Sequence, residues 1–306
     1  MKIVFMGTPE FAVPSLDALL QAGHEIVAVV TAPDAMGGRG GKQLILSQVK
    51  QYAIARGLNV LQPVKLRDKT FIAKLKALNA DIQVVVAFRM LPEIVWNMPP
   101  LGTINVHGSL LPKYRGAAPI HWAVINGEKE TGVTVFRLKH EIDTGDILAQ
   151  SKVTIDPDAT TGDLYNKLMY LGANTLVHSL EDLEKGTITL IRQNDALSCP
   201  APKLYHDSCK IDINSPATTT HNFIRGLSPK PTAWLIFCGI KYFFFTSKMT
   251  YRKSTREPGS LVIDGNKLCL STIDYDLEIL EIQAEGKRKM SQQEFVNGYQ
   301  NNVHFK

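Results

Sequence analysis

Residues 2–30 read KIVFMGTPEFAVPSLDALLQAGHEIVAVV, a stretch whose two ends are of one kind and whose middle is of another. KIVFMG (2–7) and EIVAVVT (25–31) are short, β-branched runs suited to strands. Between them PSLDALLQAG sets Leu16, Leu19 and Leu20 on one side of a helix, with Gly23 as its stop. The stretch is a strand–helix–strand unit, and its connection predicts two parallel strands joined by a right-handed crossover.

The same alternation continues outward. SQVKQYAIARG and TFIAKLKALNA are helical, and NVLQP lies between them as a strand. DIQVVVAF (81–88) carries an apolar run of the kind a central parallel strand needs when both its faces are covered. GTINVHG (102–108) is the next strand. Helix and strand alternate to about residue 190, which predicts an α/β, doubly wound domain over residues 1–190. From LSCPAPKLYHDSCKIDINSPATTT onward the pattern breaks into Pro, Ser and Thr, giving a linker over 191–206. Beyond it LIFCG, KYFFFTS, GSLVIDGN, KLCLST and LEILEIQ are strands separated by turn residues. They predict a small antiparallel β-barrel over 207–306, with a helix at HNFIRGLS and a capped turn at SQQEFVNG (291–298).

The totals agree with two domains: 306 residues, 44% of them hydrophobic, exceed what one core usually serves. No apolar run reaches about 18 residues, and MKIVFMG turns at Gly7 before a signal sequence could form, so the expectation is a cytoplasmic protein with no membrane partner. Cys199, Cys209, Cys238 and Cys269 form no CxxC pair and read as reduced packing residues, with no metal expected. The net charge of +5 allows an anionic partner without identifying one.

Two glycine-bearing loops invite nucleotide readings that their chemistry refuses. GTPEFA follows the first strand with one glycine, where a dinucleotide pyrophosphate needs three. MGGRGGKQ (36–43) lacks the first glycine of a phosphate loop and has Gln43 where a hydroxyl should hold magnesium. What remains is a loop presenting Arg39 and Lys42, readable either as solvated surface or as a basic contact.

INVHGSLLPKYRGAAPIHW (104–122) carries the chemistry. Asn105 and His107 sit two apart at a strand end, so both side chains leave on one face at the carboxyl edge where open α/β sheets bind ligands. In isolation His107 also reads as a structural histidine. Asp143, in HEIDTGDIL, could reach the same crevice, or could simply start an Asx turn before Thr144 and Gly145. The three together, without a Ser or Cys nucleophile, suggest acyl transfer to a substrate amine through a tetrahedral intermediate. Asn105 and His107 would serve its oxyanion and protons, and Asp143 would hold the imidazole.

NVHGSLLP with RGAAP, and IDTGDIL, resemble the formyltransferases that use 10-formyltetrahydrofolate. GTPEFAVPSL, TAPD with GGRGGK, VLQPVKLRD, ADIQVVVAF, RGLSPKPTAW and KRKMSQQEFVNG extend the likeness along nearly the whole chain to the branch acting on methionyl-tRNA. The resemblance implies a Rossmann-like formyltransferase domain joined to an OB-like C-terminal barrel, transferring formyl from the folate to the α-amine of initiator methionyl-tRNA; no metal is expected, and a monomer is the default expectation. Asn105, His107 and Asp143 take the catalytic positions, and Ser109, Leu110, Leu111 and Pro112 the folate-contacting ones. Arg39 and Lys42 would meet the tRNA acceptor end, and the C-terminal barrel would bind tRNA. Lys287, Arg288 and Lys289 read either as a tRNA-facing patch or as a solvated turn. Tyr242, Phe243, Phe244 and Phe245 read as core and sheet face more readily than as a base-stacking platform. Two departures stand out: Phe88-Arg89 where Tyr-Gly is usual beside the folate pocket, and Glu141-Ile142 where Gly-Leu precedes the catalytic Asp. Related readings are a formyltransferase acting on a sugar-nucleotide amine or on glycinamide ribonucleotide, a hydrolase releasing formate, and a tRNA-binding module without activity.

Overall fold

The computed structural model describes residues 1–37 and 43–299. The chain forms two compact units. The first comprises Met1–Gly116, Gly132–Val153 and Tyr165–Pro200, and the second Ala117–Thr131, Thr154–Leu164 and Ala201–Lys306.

The first unit is built on a seven-stranded sheet. Its strands are β1 (Lys2–Gly7), β2 (Glu25–Val30), β3 (Val60–Leu61), β4 (Ile82–Val86), β5 (Thr103–His107), β6 (Glu130–Arg137) and β7 (Ile147–Thr154), in the spatial order β7-β6-β5-β4-β1-β2-β3. β1 runs parallel to both β2 and β4, as the opening stretch predicts. Ile3, Val4, Phe5 and Met6 are all fully buried. Alternate side chains of a strand leave on opposite faces, so this run requires cover on both. On one face Val4, Met6, Val30 and Val85 pack with Phe71 and Leu75 of α3 (Lys69–Ala77). Burying one such large side chain contributes about 1.5–3 kcal/mol, which makes the central strands the main source of the unit's stability. Helices α1 (Val13–Gln21) and α2 (Gln48–Ala55) complete the crossovers, and α2 starts where the Ser47 hydroxyl accepts from the Lys50 N–H. Asp68 caps α3 in the same way, accepting from Phe71 N–H.

The first turn explains why Gly7 is needed without any nucleotide. A Cβ there would lie 2.7 Å from the Ala12 Cβ and 3.0 Å from the Val86 carbonyl oxygen. The glycine permits close packing of the chain.

Alternation of helix and parallel strand stops earlier than the sequence pattern suggests. β6 pairs antiparallel with β5, with Asn105 opposite Phe136 and His107 opposite Thr134. Only residues 138–146 join β6 to β7, too few for the dozen or so residues of a helical crossover, so the sheet gains a non-parallel edge. The 24-residue α4 (Thr161–Glu184) follows β7. Gly172 in it approaches β5 so closely that an added Cβ would stand 3.0 Å from Val106 Cγ1.

The second unit carries an antiparallel sheet of β8 (Ala233–Phe237), β9 (Ile240–Lys253), β10 (Leu261–Asp264), β11 (Lys267–Ser271) and β12 (Tyr275–Ala284), ordered β8-β9-β12-β11-β10, with Met290–Ser291 paired to β12. Its core gathers Leu235, Leu268, Leu277, Ile279 and Ile282 with Ile224 of α5 (Ala217–Leu227) and Phe295 of α6 (Gln292–Tyr299). Tyr242 and Phe244 belong to that core, and Phe243 and Phe245 are half-buried, Phe243 packing at the core's margin. Lys289 lies over the Phe245 ring and pairs with Glu281 at 2.9 Å, and Arg288 pairs with Glu294 at 2.7 Å. Two of the three cations in the 287–289 run are thus engaged with acidic neighbours.

Glu294 also accepts from the backbone N–H of Ser291, whose hydroxyl accepts from the Glu294 N–H, a reciprocal cap at the start of α6. The Arg288 guanidinium and then the Ser291 N–H pull the Glu294 carboxyl down to about 2. A carboxyl depressed on folding stabilises above its unfolded value and loses that contribution as pH falls through the folded one. Acidifying from about 4.5 toward about 2 is therefore expected to lower the wild-type Tm more steeply than that of Glu294→Gln, as followed by circular dichroism. Among the described residues no helix is long and apolar enough to cross a membrane, and no group of three His, Cys, Asp or Glu side chains is placed to hold a metal ion.

Candidate active site

β5 ends in the centre of the sheet's carboxyl edge and sends Asn105 and His107 to one face, while Val106 between them packs toward α4. His107 is 6% exposed, and its ring meets Phe136 of β6 edge-to-face with centroids 6.3 Å apart. Its Nε2 lies 2.8 Å from the Tyr114 carbonyl, so an N–H on that nitrogen donates there. Nδ1 then faces Asp143, with Oδ2 at 3.7 Å. This separation exceeds a hydrogen bond, but the carboxylate and the ring share one enclosed corner. Asn105 stands half-buried beside them.

Asp143 reaches this position through an unusual backbone. Its φ is +54°, in the left-handed region that Asp tolerates better than most residues. Its Oδ2 accepts from the Gly116 N–H at 2.9 Å, so the carboxylate is bound to a distant loop. Two residues later, a Cβ on Gly145 would lie 1.6 Å from the Arg137 carbonyl oxygen. Only glycine lets the loop return this close to β6. Glu141 and Ile142 both point outward, and the Thr144 hydroxyl donates to the Glu141 carbonyl, so the departure at 141–142 leaves the turn intact.

The loop after β5 is knitted from inside. Thr134 Oγ1 donates to the Ser109 carbonyl at 2.7 Å and accepts from the Leu111 N–H at 3.0 Å. Gln150 Nε2 donates to Thr134 Oγ1 and to the Leu111 carbonyl. The Ser109 hydroxyl donates to the Lys113 carbonyl, and Leu111 packs with Phe136 and Ile147. Leu110 and Pro112 are the half-exposed apolar members of the four. Arg39 and Lys42 lie outside the described residues. The segments on either side, Ala35–Gly37 and Gln43–Ile45, pair antiparallel and leave Met36 and Leu44 exposed.

Arg89 does not turn inward. Its guanidinium donates to the Val64 carbonyl at 2.8 Å and to the Pro63 carbonyl, and lies against the Phe88 ring, joining the loop after β3 to the loop after β4. The position that sequence reasoning missed is Gln193, 6% exposed. Its Nε2 donates to the carbonyls of Asp143 at 2.9 Å and Gly145 at 2.8 Å. Its Oε1 accepts from Arg115 at 3.1 and 2.7 Å, and Arg115 also pairs with the exposed Asp195. No spacing rule links residues fifty positions apart, and the surrounding Pro- and Ser-bearing stretch reads as linker.

A polar trio at the carboxyl edge of a Rossmann-like sheet, with an antiparallel domain after it, defines a class. Residues 1–180 match the formyl transferase family, and residues 203–300 match the formyl transferase C-terminal domain. The methionyl-tRNA formyltransferase of Bacteroides fragilis is 44% identical over 98% of this chain and 95% of its own length. That of Azobacteroides pseudotrichonymphae is 45% identical over 99% and 98%. The chain belongs to the methionyl-tRNA formyltransferase family. Among solved structures, HypX from Aquifex aeolicus in complex with tetrahydrofolic acid superposes with a TM-score of 0.67 at 17% identity. The match covers 99% of this chain but 48% of HypX, and likeness at that identity speaks for the fold alone.

Proposed function

We propose that this chain transfers the formyl group of 10-formyltetrahydrofolate to the free α-amine of methionyl-initiator-tRNA, supplying the formylated initiator for translation. The observation that carries the reading is the meeting of His107 and Asp143, 3.7 Å apart, beside Asn105 on the same strand face. The relatives' shared name supports formyl transfer to methionyl-tRNA.

The folate supplies a formyl carbon open to attack by an amine. Leu110 and Pro112 suit the flat ring system that must lie beyond β5, being apolar, partly exposed and carried on a loop held from inside by Thr134 and Gln150. Ser109 and Leu111 would act through their backbone and by shaping that loop. Asn105 donates an amide N–H to the oxygen that gains charge as the amine bonds to carbon. His107 takes the proton the amine must lose and returns one to the departing folate nitrogen. The Tyr114 carbonyl fixes the ring through Nε2, and Asp143, facing Nδ1, stabilises the imidazolium that exists between the two steps. No nucleophilic side chain is required, because the attacking nitrogen comes with the tRNA.

Arg39 and Lys42 serve as contacts to phosphates or end bases of the tRNA acceptor end, and the second domain adds further contact to the same partner. The division of labour is a formyltransferase domain over 1–190, a linker over 191–206 and a tRNA-binding domain over 207–306. The enzyme works in the cytoplasm as a monomer.

The test is formyl transfer from 10-formyltetrahydrofolate to charged initiator and elongator methionyl-tRNAs side by side. Transfer to the initiator is expected; transfer to neither species removes the reading. In the same assay Arg39→Ala is expected to raise the KM for tRNA and reduce the salt dependence of tRNA binding by about one phosphate contact, with the folate KM unchanged. Equal damage to folate binding would remove the tRNA role of this loop.

A further inference from the structure

We propose that Gln193 is a positioning residue for formyl transfer, one that acts through Asp143 and touches neither substrate. The inference rests on the reading of Asp143 as a member of the catalytic trio. A carboxamide has two N–H donors and one oxygen with two lone pairs. In Gln193 all four are used: both N–H groups on the carbonyls of Asp143 and Gly145, and both lone pairs on the Arg115 guanidinium. The two carbonyls flank Thr144, so a single amide bridges the backbone segment from which the Asp143 side chain departs.

That segment needs an external hold. Asp143 sits at φ +54°, a conformation an L-residue keeps only when its surroundings over-determine it. The connection from β6 to β7 is short and partly exposed, with His140, Glu141 and Ile142 in solvent. The Gly116 N–H fixes the carboxylate end, but the backbone end depends on the bridge. Arg115 immediately precedes Gly116. Gln193 therefore connects the backbone of the Asp143 loop to the side chain next to the residue that holds its carboxylate. A buried amide with every partner satisfied is a rigid strut, because each alternative orientation would leave a polar group unpaired at about 1–3 kcal/mol.

The arrangement predicts a loss confined to the chemical step. Displacing a catalytic group by about 1 Å commonly costs about two orders of magnitude. Gln193→Glu keeps the length and the Arg115 partnership but removes both donors and sets an oxygen against two carbonyl oxygens. Gln193→Met keeps the shape without charge. Both are expected to lower kcat by about 10–100-fold per folded molecule, measured with thermal unfolding as the control, while the KM values for folate and tRNA stay within about two-fold. In an Asp143→Ala background, where no carboxylate remains to be placed, the same substitutions are expected to change the single-turnover rate, with enzyme in excess, by less than about two-fold. Unchanged kcat in both single variants, or losses of equal size in the two backgrounds, overturns the positioning role. If wild type transfers formyl, Asp143→Ala is impaired and the Gln193 losses still add, only this inference fails. If wild type transfers nothing to methionyl-tRNA, the functional reading fails and this one with it.

Discussion

His107→Ala is expected to lower formyl transfer by about two to four orders of magnitude while leaving the protein folded, and Asn105→Ala is expected to fall in the same range. His107 is enclosed between the Tyr114 carbonyl, the Phe136 ring and the Asp143 carboxylate. Its ring is therefore held in one orientation at the strand end. Alanine removes the imidazole from this corner, with its bond to the Tyr114 carbonyl and its edge-to-face contact with Phe136. Stability should fall by about 0.5–3 kcal/mol, the usual range for a single substitution, while the rate falls by much more. Rates at saturating folate and tRNA, set beside the unfolding midpoint, separate the two effects. A His107→Ala protein with near-normal turnover would end the assignment of the trio.

Gly145→Ala is expected to be the most damaging single-methyl change in the first unit. Its Cβ would have to lie 1.6 Å from the Arg137 carbonyl oxygen and 2.8 Å from the Arg137 carbonyl carbon, both backbone atoms of a sheet strand. A flexible side chain could move aside, but a paired strand cannot. The loop must then shift outward, losing the Gln193 bonds to Asp143 and Gly145 and the register that brings residue 143 to His107. Overpacking of this kind costs about 3 kcal/mol or more, and transfer should fall at least as far as in Asp143→Ala. Denaturant unfolding and the transfer assay check the two halves. A Gly145→Ala protein of wild-type stability and activity would show that the close approach is not maintained in solution.

Most of the fold was legible because hydrophobic periodicity reports local geometry directly. The apolar run at 3–6 and the run at 82–86, apolar but for Gln83, needed cover on both faces and found it, and the Leu16, Leu19 face of the first helix is buried. The antiparallel outer edge was not legible, since β6 reverses against β5 after a connection, residues 108–129, long enough for a parallel crossover, and neither strand's composition reports direction. The basic run at 287–289 left two readings open, and only the placement of Glu281 and Glu294 showed how Lys289 and Arg288 are engaged. Arg89, a bulky charge beside the expected folate pocket when read as sequence, reaches sideways to the carbonyls of the loop after β3. A long side chain's direction follows its backbone, and the nearby Ala87 turns that backbone at φ +47°.

At the site, spacing alone placed Asn105 and His107 on one face, because a strand alternates with period two whatever it packs against. The motifs around them carried the family. The meeting of Asp143 with His107 was a matter for the tertiary structure. It requires a left-handed aspartate, a glycine small enough to pass the β6 backbone, and Gln193 fifty positions further on to bind the loop. Local sequence dictates which way a side chain leaves its own element. Where two side chains thirty-six positions apart meet is decided by close backbone approach and by satisfaction of buried polar groups, and both of these exist only once the chain has folded.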